Sequence, residues 1–245
     1  MKYLIGSLIL IFVLACSKDN RFACFTSSGK EITQARQINL FKNIRLIGKV
    51  TLIIQQGTEQ SVEVFAGQNI IKNIKTKVDN QELVIEDKNT CNFVRGYKRE
   101  IKVTITTPYL YELVNESVSN IYLRDFRLDS LYIKAGSSGD NYISGNFKSI
   151  RISSHGNGDV YLSGATEAMA IYMNGENYIH ATNFLVYGYL FLAHLSQGNC
   201  YLNLSETDLF NYSIQSAGNI YFQGKANTSE GTIESNAKGK LLHTQ

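Results

Sequence analysis

The sequence predicts an all-β fold, a right-handed parallel β-helix (β-solenoid) with about 20 residues per coil and less regular strand-built coils at its N-terminal side. The first observation behind this is a phrase that returns down the second half: Ser119-Asn120-Ile121-Tyr122-Leu123, Gly139-Asp140-Asn141-Tyr142-Ile143, Gly158-Asp159-Val160-Tyr161-Leu162, Gly175-Glu176-Asn177-Tyr178-Ile179, Gly198-Asn199-Cys200-Tyr201-Leu202 and Gly218-Asn219-Ile220-Tyr221-Phe222. Its tyrosines fall 20, 19, 17, 23 and 20 residues apart, and Gly239-Lys240-Leu241-Leu242-His243 stands one period further on. The second is an apolar pair eleven and nine residues ahead of the tyrosine, as in Leu131 and Ile133, Ile150 and Ile152, Leu190 and Leu192, and Phe210 and Tyr212. The third is that no window long enough for a globular helix places apolar residues at spacings of three and four. The right hand follows from the general handedness of parallel crossovers.

In chain order, residues 1–15 have the character of a lipoprotein signal peptide. Lys2 gives a minimal positive start, and residues 3–14 are an apolar run too short to span a bilayer. Val13-Leu14-Ala15-Cys16 resembles a bacterial lipobox, which makes Cys16 the lipidation residue. Acyl chains of the palmitate kind contribute about 0.8 kcal/mol per buried methylene, so a soluble domain can be held at a membrane surface. No Asp follows Cys16 directly, and Ser17-Lys18-Asp19 resembles a surface-export signal. The expected address is therefore the outer membrane, on its periplasmic or cell-surface face, with the membrane as a partner through the N-terminal anchor.

Residues 16–37 read as tether and arm. In an oxidising compartment Cys24 and Cys91, both in polar, irregular surroundings, are expected to form a disulfide. Cys200 takes a position filled elsewhere by Ile121, Val160 and Ile220, so it reads as a small buried hydrophobe.

Residues 38–245 form one domain. Over 38–107, Ile44-Arg45-Leu46-Ile47, Val50-Thr51-Leu52-Ile53-Ile54, Val62-Glu63-Val64, Leu83-Val84-Ile85 and Ile101-Lys102-Val103-Thr104-Ile105 alternate or are rich in β-branched residues, which predicts strands for N-terminal coils or a cap. Pro108 marks the passage into the repeat coils of 108–245, because proline is poorly tolerated inside a central strand.

Stacked coils turn each repeat position into a column. The glycine column predicts a turn with positive φ where a side chain would also clash with the next coil. The residue after each tyrosine is apolar and points inward; the one before it does too, with Asn141 and Asn177 placed there. Tyr122, Tyr142, Tyr161, Tyr178, Tyr201 and Tyr221 then point outward as a ladder, the candidate ligand-binding residues for an extended glycan. Two residues before each lies a polar column in which Asp140, Asp159 and Glu176 form a calcium candidate set.

Composition narrows the function classes. A net charge of +3 on 245 residues, without a clustered basic face, gives no reason to expect nucleic acid. His155, His180, His194 and His243 share no column, no cofactor loop is present, and no arginine repeats beside the acidic trio. An enzyme is not expected, and neither is a cofactor.

The chain resembles the putative auto-transporter adhesin, head GIN domain family of Bacteroidetes lipoproteins. The resemblance covers about residues 38–242. It rests on Phe41-Lys42-Asn43-Ile44, Val50-Thr51-Leu52-Ile53-Ile54-Gln55-Gln56-Gly57, Ser61-Val62-Glu63-Val64, Leu83-Val84-Ile85, Val103-Thr104-Ile105-Thr106-Thr107-Pro108 and Gly218-Asn219-Ile220, and it departs from the pattern at Ser119-Asn120-Ile121. It implies a parallel β-helix and adhesion or ligand binding at the envelope, and it supplies no catalytic residues. The expected function is an adhesin-like envelope lipoprotein binding a glycan or other cell-surface component. The alternatives are a structural envelope module and, from another class, a polysaccharide lyase or hydrolase.

Overall fold

The structure is a computed structural model that describes residues 27–90 and 100–244. Cys16, Cys24 and Cys91 lie outside these residues, as do residues 1–15.

The strands in chain order are β1 (Glu31–Arg36), β2 (Asn43–Gly48), β3 (Thr51–Gln56), β4 (Ser61–Gly67), β5 (Ile74–Asp79), β6 (Glu82–Asp87), β7 (Lys102–Thr107), β8 (Glu112–Ser117), β9 (Ile121–Ala135), β10 (Asn141–Ser154), β11 (Val160–Met173), β12 (Ile179–His194), β13 (Cys200–Asn203), β14 (Leu209–Ile214), β15 (Ile220–Gln223), β16 (Thr228–Ile233) and β17 (Leu241–His243). A single 3-10 turn, Ile71–Asn73, is the one helical piece among the described residues. From β9 onward each coil stacks in parallel on the next, giving a β-solenoid.

Each long strand bends round the coil and serves three faces. In β9 residues 121–123 lie on the first face, 126–128 on the second and 131–135 on the third, and each piece pairs with its counterpart in β10. Alternation decides what goes inside. On the third face Leu131, Ile150, Met169, Leu190 and Phe210 fall in register and are all buried. This agrees with the sequence pattern. The second face had no column assigned from sequence. It buries Phe126, Phe147 and Phe184, and Gly145 makes room for them: a Cβ there would lie 2.9 Å from the Phe147 ring.

The N-terminal strands do not stack in chain order. On the first face the order is β1, β4, β7, β3, β9, with β1, β4 and β7 antiparallel neighbours; on the third it is β5, β6, β2, β8, β9. The coil of β2 and β3 is thus clamped inside, with β4 and β7 folded back over it on the first face, β5 and β6 on the third, and β1 at the outer edge of the first face. Where a strand stops, a glutamine amide continues the ladder. Gln60 accepts from Phe41 N at 3.1 Å and donates to Phe41 O at 2.7 Å.

The glycine column bears out the expectation of positive φ at Gly175 alone, where φ is 136°; Gly139, Gly158, Gly198, Gly218 and Gly239 do not take left-handed angles. They are glycine because the carbonyl of the preceding coil leaves no space: a Cβ on Gly198 would lie 1.9 Å from Asn177 O, and one on Gly218 would lie 2.0 Å from Gly198 O. Cys200 is wholly buried, as its column requires, and burial raises its thiol pKa.

Candidate functional site

The first face carries a column of stacked rings. Tyr122 and Tyr142 have centroids 5.0 Å apart, and Tyr142 and Tyr161 4.7 Å. The next ring is His180, 4.4 Å from Tyr161 and 5.3 Å from Tyr201, and Tyr201 then stacks on Tyr221 at 5.2 Å. Interplanar angles along this column are between 5° and 11°. The stack forms because parallel pairing holds equivalent outward positions one strand spacing apart, about 4.8 Å, close to the natural separation of offset rings.

His180 is a correction to the predicted ladder. The register pairs Tyr161 with His180 and His180 with Tyr201, so Tyr178 does not hold a ladder position. Its ring lies 6.2 Å from His180 at the edge of the stack, and the residue is 38% exposed. Ile179, not Asn177, packs between Val160 and Cys200. Asn177 stands in the glycine column, with its Nδ2 donating to Gly156 O at 2.7 Å. Spacings of 19 and 21 residues around His180 replace the uneven 17 and 23, and that regularity was the signal available in the sequence.

The polar column beside the rings works as an internal clamp. The Asn120 side-chain oxygen accepts from Asp140 N, that of Asp140 from Asp159 N, that of Asp159 from Tyr178 N, that of Asn199 from Asn219 N, and that of Asn219 from Lys240 N. The second side-chain atom meets the phenol of its own coil. Tyr142 and Tyr161 donate to Asp140 and Asp159 at 3.3 Å, whereas Asn120 and Asn219 donate to Tyr122 and Tyr221 at 3.3 Å. Asp159 also lies 3.4 Å from His180 Nε2. Burial, followed by the Asp140 charge, pushes the Tyr142 phenol up to about 12, and burial with Asp159 raises that of Tyr161.

The calcium candidate set is not brought together. Asp140 and Asp159 share the column and spend their oxygens on amides and phenols, while Glu176 is exposed two residues ahead of the position that Tyr178 fills. Among the described residues no three of His, Cys, Asp and Glu converge as metal ligands.

What the column leaves open is a trough at its side. Stacking covers the faces of the inner rings, so only their edges reach outward. The next outward position along each strand is Arg124, Ser144, Ser163 and Thr182. Because three of these are small, a groove of about 340 Å³ runs along four coils between ring edges and hydroxyls, with Asn183 at its rim. Arg124 closes one end, its guanidinium 5.9 Å from the Tyr122 ring. Ser144 is oriented by Asp125, which accepts from it at 2.6 Å across the extra residue that β9 carries here.

A stack of parallel coils with one trough along a clamped ring column defines the chain as a repeat-built solenoid that presents a lateral surface. The particular family follows from comparison. The model of the family described as putative auto-transporter adhesin, head GIN domain, matches residues 40–226, and the chain belongs to that family. No curated protein matches it. Among solved structures it is similar to a putative adhesin from Bacteroides fragilis NCTC 9343, with 21% identity, TM-score 0.76, and 88% of this chain and 97% of that one covered. A putative adhesin from Parabacteroides merdae ATCC 43184 is similar at 15% identity and TM-score 0.65, covering 89% of this chain and 98% of the other. A protein described as a putative lipid binding protein from Parabacteroides distasonis ATCC 8503 is similar at 14% identity and TM-score 0.62, with the same shares covered. At these identities the likeness is one of fold.

Proposed function

We propose that the protein is a non-enzymatic adhesin of the cell envelope that binds an extended glycan in the trough beside the ring column. The observation that carries this is the trough itself: a groove as long as four coils, walled by ring edges on one side and by Ser144, Ser163 and Thr182 on the other. Hydroxyl and amide groups repeating at one strand spacing suit a polymer of repeating hydroxylated units. The rings are wall and scaffold here, since their faces are already stacked. Cys16 is the proposed lipid anchor, holding the domain at the outer membrane, and Cys24 and Cys91 the proposed disulfide. Family membership supports the adhesin role.

The test is a glycan array on the folded domain, run beside the Ser163→Tyr variant, in which a large exposed side chain fills the trough without entering the core. Loss of the array signal in the variant supports the reading. Array signals that survive the filled trough count against it, and release of reducing sugar from a bound glycan transfers the protein to the lyase or hydrolase class.

A further inference from the structure

A second groove, of about 850 Å³, lies round the corner from the trough, over the start of the second face. Its origin is topological. β3 pairs with β9 through residues 121–124 and β8 pairs with it through 132–135, so residues 126–130 have a strand neighbour only in β10. Gln56 stands in for the missing strand at one residue, accepting from Arg127 N at 3.0 Å and donating to Arg127 O at 3.2 Å. Beyond it the segment Pro108-Tyr109-Leu110-Tyr111 crosses at a distance and forms the opposite wall.

Three properties of this groove point to one ligand chemistry. Its floor is apolar, built from Leu110 and Phe147 with Leu128 half-buried. Tyr109 and Tyr111 are 37% and 60% exposed. Among the described residues neither stacks on another ring, unlike the rings of the column. Lys148 is matched by Asp129 at 2.7 Å, but Lys42 and Arg127 have no acidic partner among the described residues. Two unmatched cations beside exposed, unstacked aromatic rings suit an anion with a flat, partly apolar body.

We propose that this groove binds a carboxylated saccharide, with the C–H face of a sugar ring laid on Tyr111 or Tyr109 and its carboxylate taken by the Arg127 fork, Lys42 adding a point charge. A fatty-acyl anion is the less suitable occupant, because the groove is open to solvent and does not enclose a chain. This site is independent of the trough and does not rest on it.

The probes are oligogalacturonate, a hyaluronan oligosaccharide and sialyllactose, each with its methyl-esterified, neutral form, titrated calorimetrically into the folded domain. At least one acid form should bind and its ester should bind at least tenfold more weakly. Arg127→Gln with Lys42→Gln should also cost at least tenfold, as should Tyr111→Ser, and Ser163→Tyr should leave this binding unchanged. All four substituted positions are exposed, and unaltered thermal unfolding of the variants confirms the fold. Absence of binding by all three acids, equal binding of acid and ester, or binding of laurate that is indifferent to Tyr111→Ser overturns the proposal. Loss on Ser163→Tyr alone overturns it too, by moving the acid to the trough.

Discussion

His180 joins two runs of tyrosines into one stack, and its ring touches both neighbours face to face. Each such pair contributes about 0.5–1.5 kcal/mol beyond area burial. With the ring half-exposed, His180→Ala should destabilise the domain by about 1–2 kcal/mol, while His180→Tyr, which completes the column, should stay within about 0.5 kcal/mol; denaturant unfolding measures both. Tyr142 offers a second check. Its phenol, pushed up to about 12 by burial and by Asp140, should be among the last to ionise in an absorbance titration, and Asp140→Asn should bring its midpoint down. A raised phenol pKa means that the neutral form is favoured in the folded state, so this contribution to stability is intact below the ordinary value near 10 and is lost as pH rises towards 12. The misplaced Tyr178 shows where sequence legibility ends at this scale. A slip of two residues preserves the inward and outward alternation of a strand, so Asn177 and Tyr178 satisfy the pattern as well as Ile179 and His180 do. Two signals separate the frames: the more even spacing of 19 and 21 residues through His180, and the demand that an apolar residue sit between Val160 and Cys200.

At the scale of the element, a coil is defined by how closely its turn lies on the one before. Gly198→Ala would drive a Cβ to 1.9 Å from Asn177 O, a backbone atom that cannot rotate away. The variant should lose about 3 kcal/mol or more, read as a fall in the denaturation midpoint, and hydrogen exchange should quicken first in β12 and β13. The repeat period, the apolar columns and the outward tyrosines were all legible because they are local and periodic. The reason for glycine was legible only in part: a clash with the neighbouring coil was expected, but the positive φ expected beside it holds in that column at Gly175 alone, and elsewhere the cause is the carbonyl of another coil about twenty residues away. The same holds for β3, which inserts between β7 and β9: pairing across such separations is decided by packing, and no short segment announces it. The trough was equally hidden, since it depends on the small size of Ser144, Ser163 and Thr182 beside the larger rings.

For the molecule as a whole, one apolar core runs from Phe41 to Ala226 and is interrupted by a polar seam that includes Asn115, Asn141, Ser154, Asn177 and His194. Asn115 and Asn141 bond each other at 3.0 Å, but neither ring nitrogen of the fully buried His194 makes a hydrogen bond of good geometry. Burial lowers its pKa, an effect larger than the opposing influence of nearby backbone groups. A base held neutral by the fold makes global stability constant above the unfolded value near 6.5 and lets it fall as pH drops below that value, because the unfolded chain takes up the proton first. His194→Met, which repeats the residue at Met173 one coil earlier in the same column, should flatten the decline in unfolding free energy between pH 7 and 5. The functional account rests on the trough along the first face. Its most direct test is a backbone amide shift map of the isotopically labelled domain titrated with the leading glycan from the array. The account predicts perturbations confined to Arg124, Ser144, Ser163, Thr182 and Asn183 and the rings beside them, and their disappearance in Ser163→Tyr; a map centred elsewhere, or one unchanged by filling the trough, would contradict it.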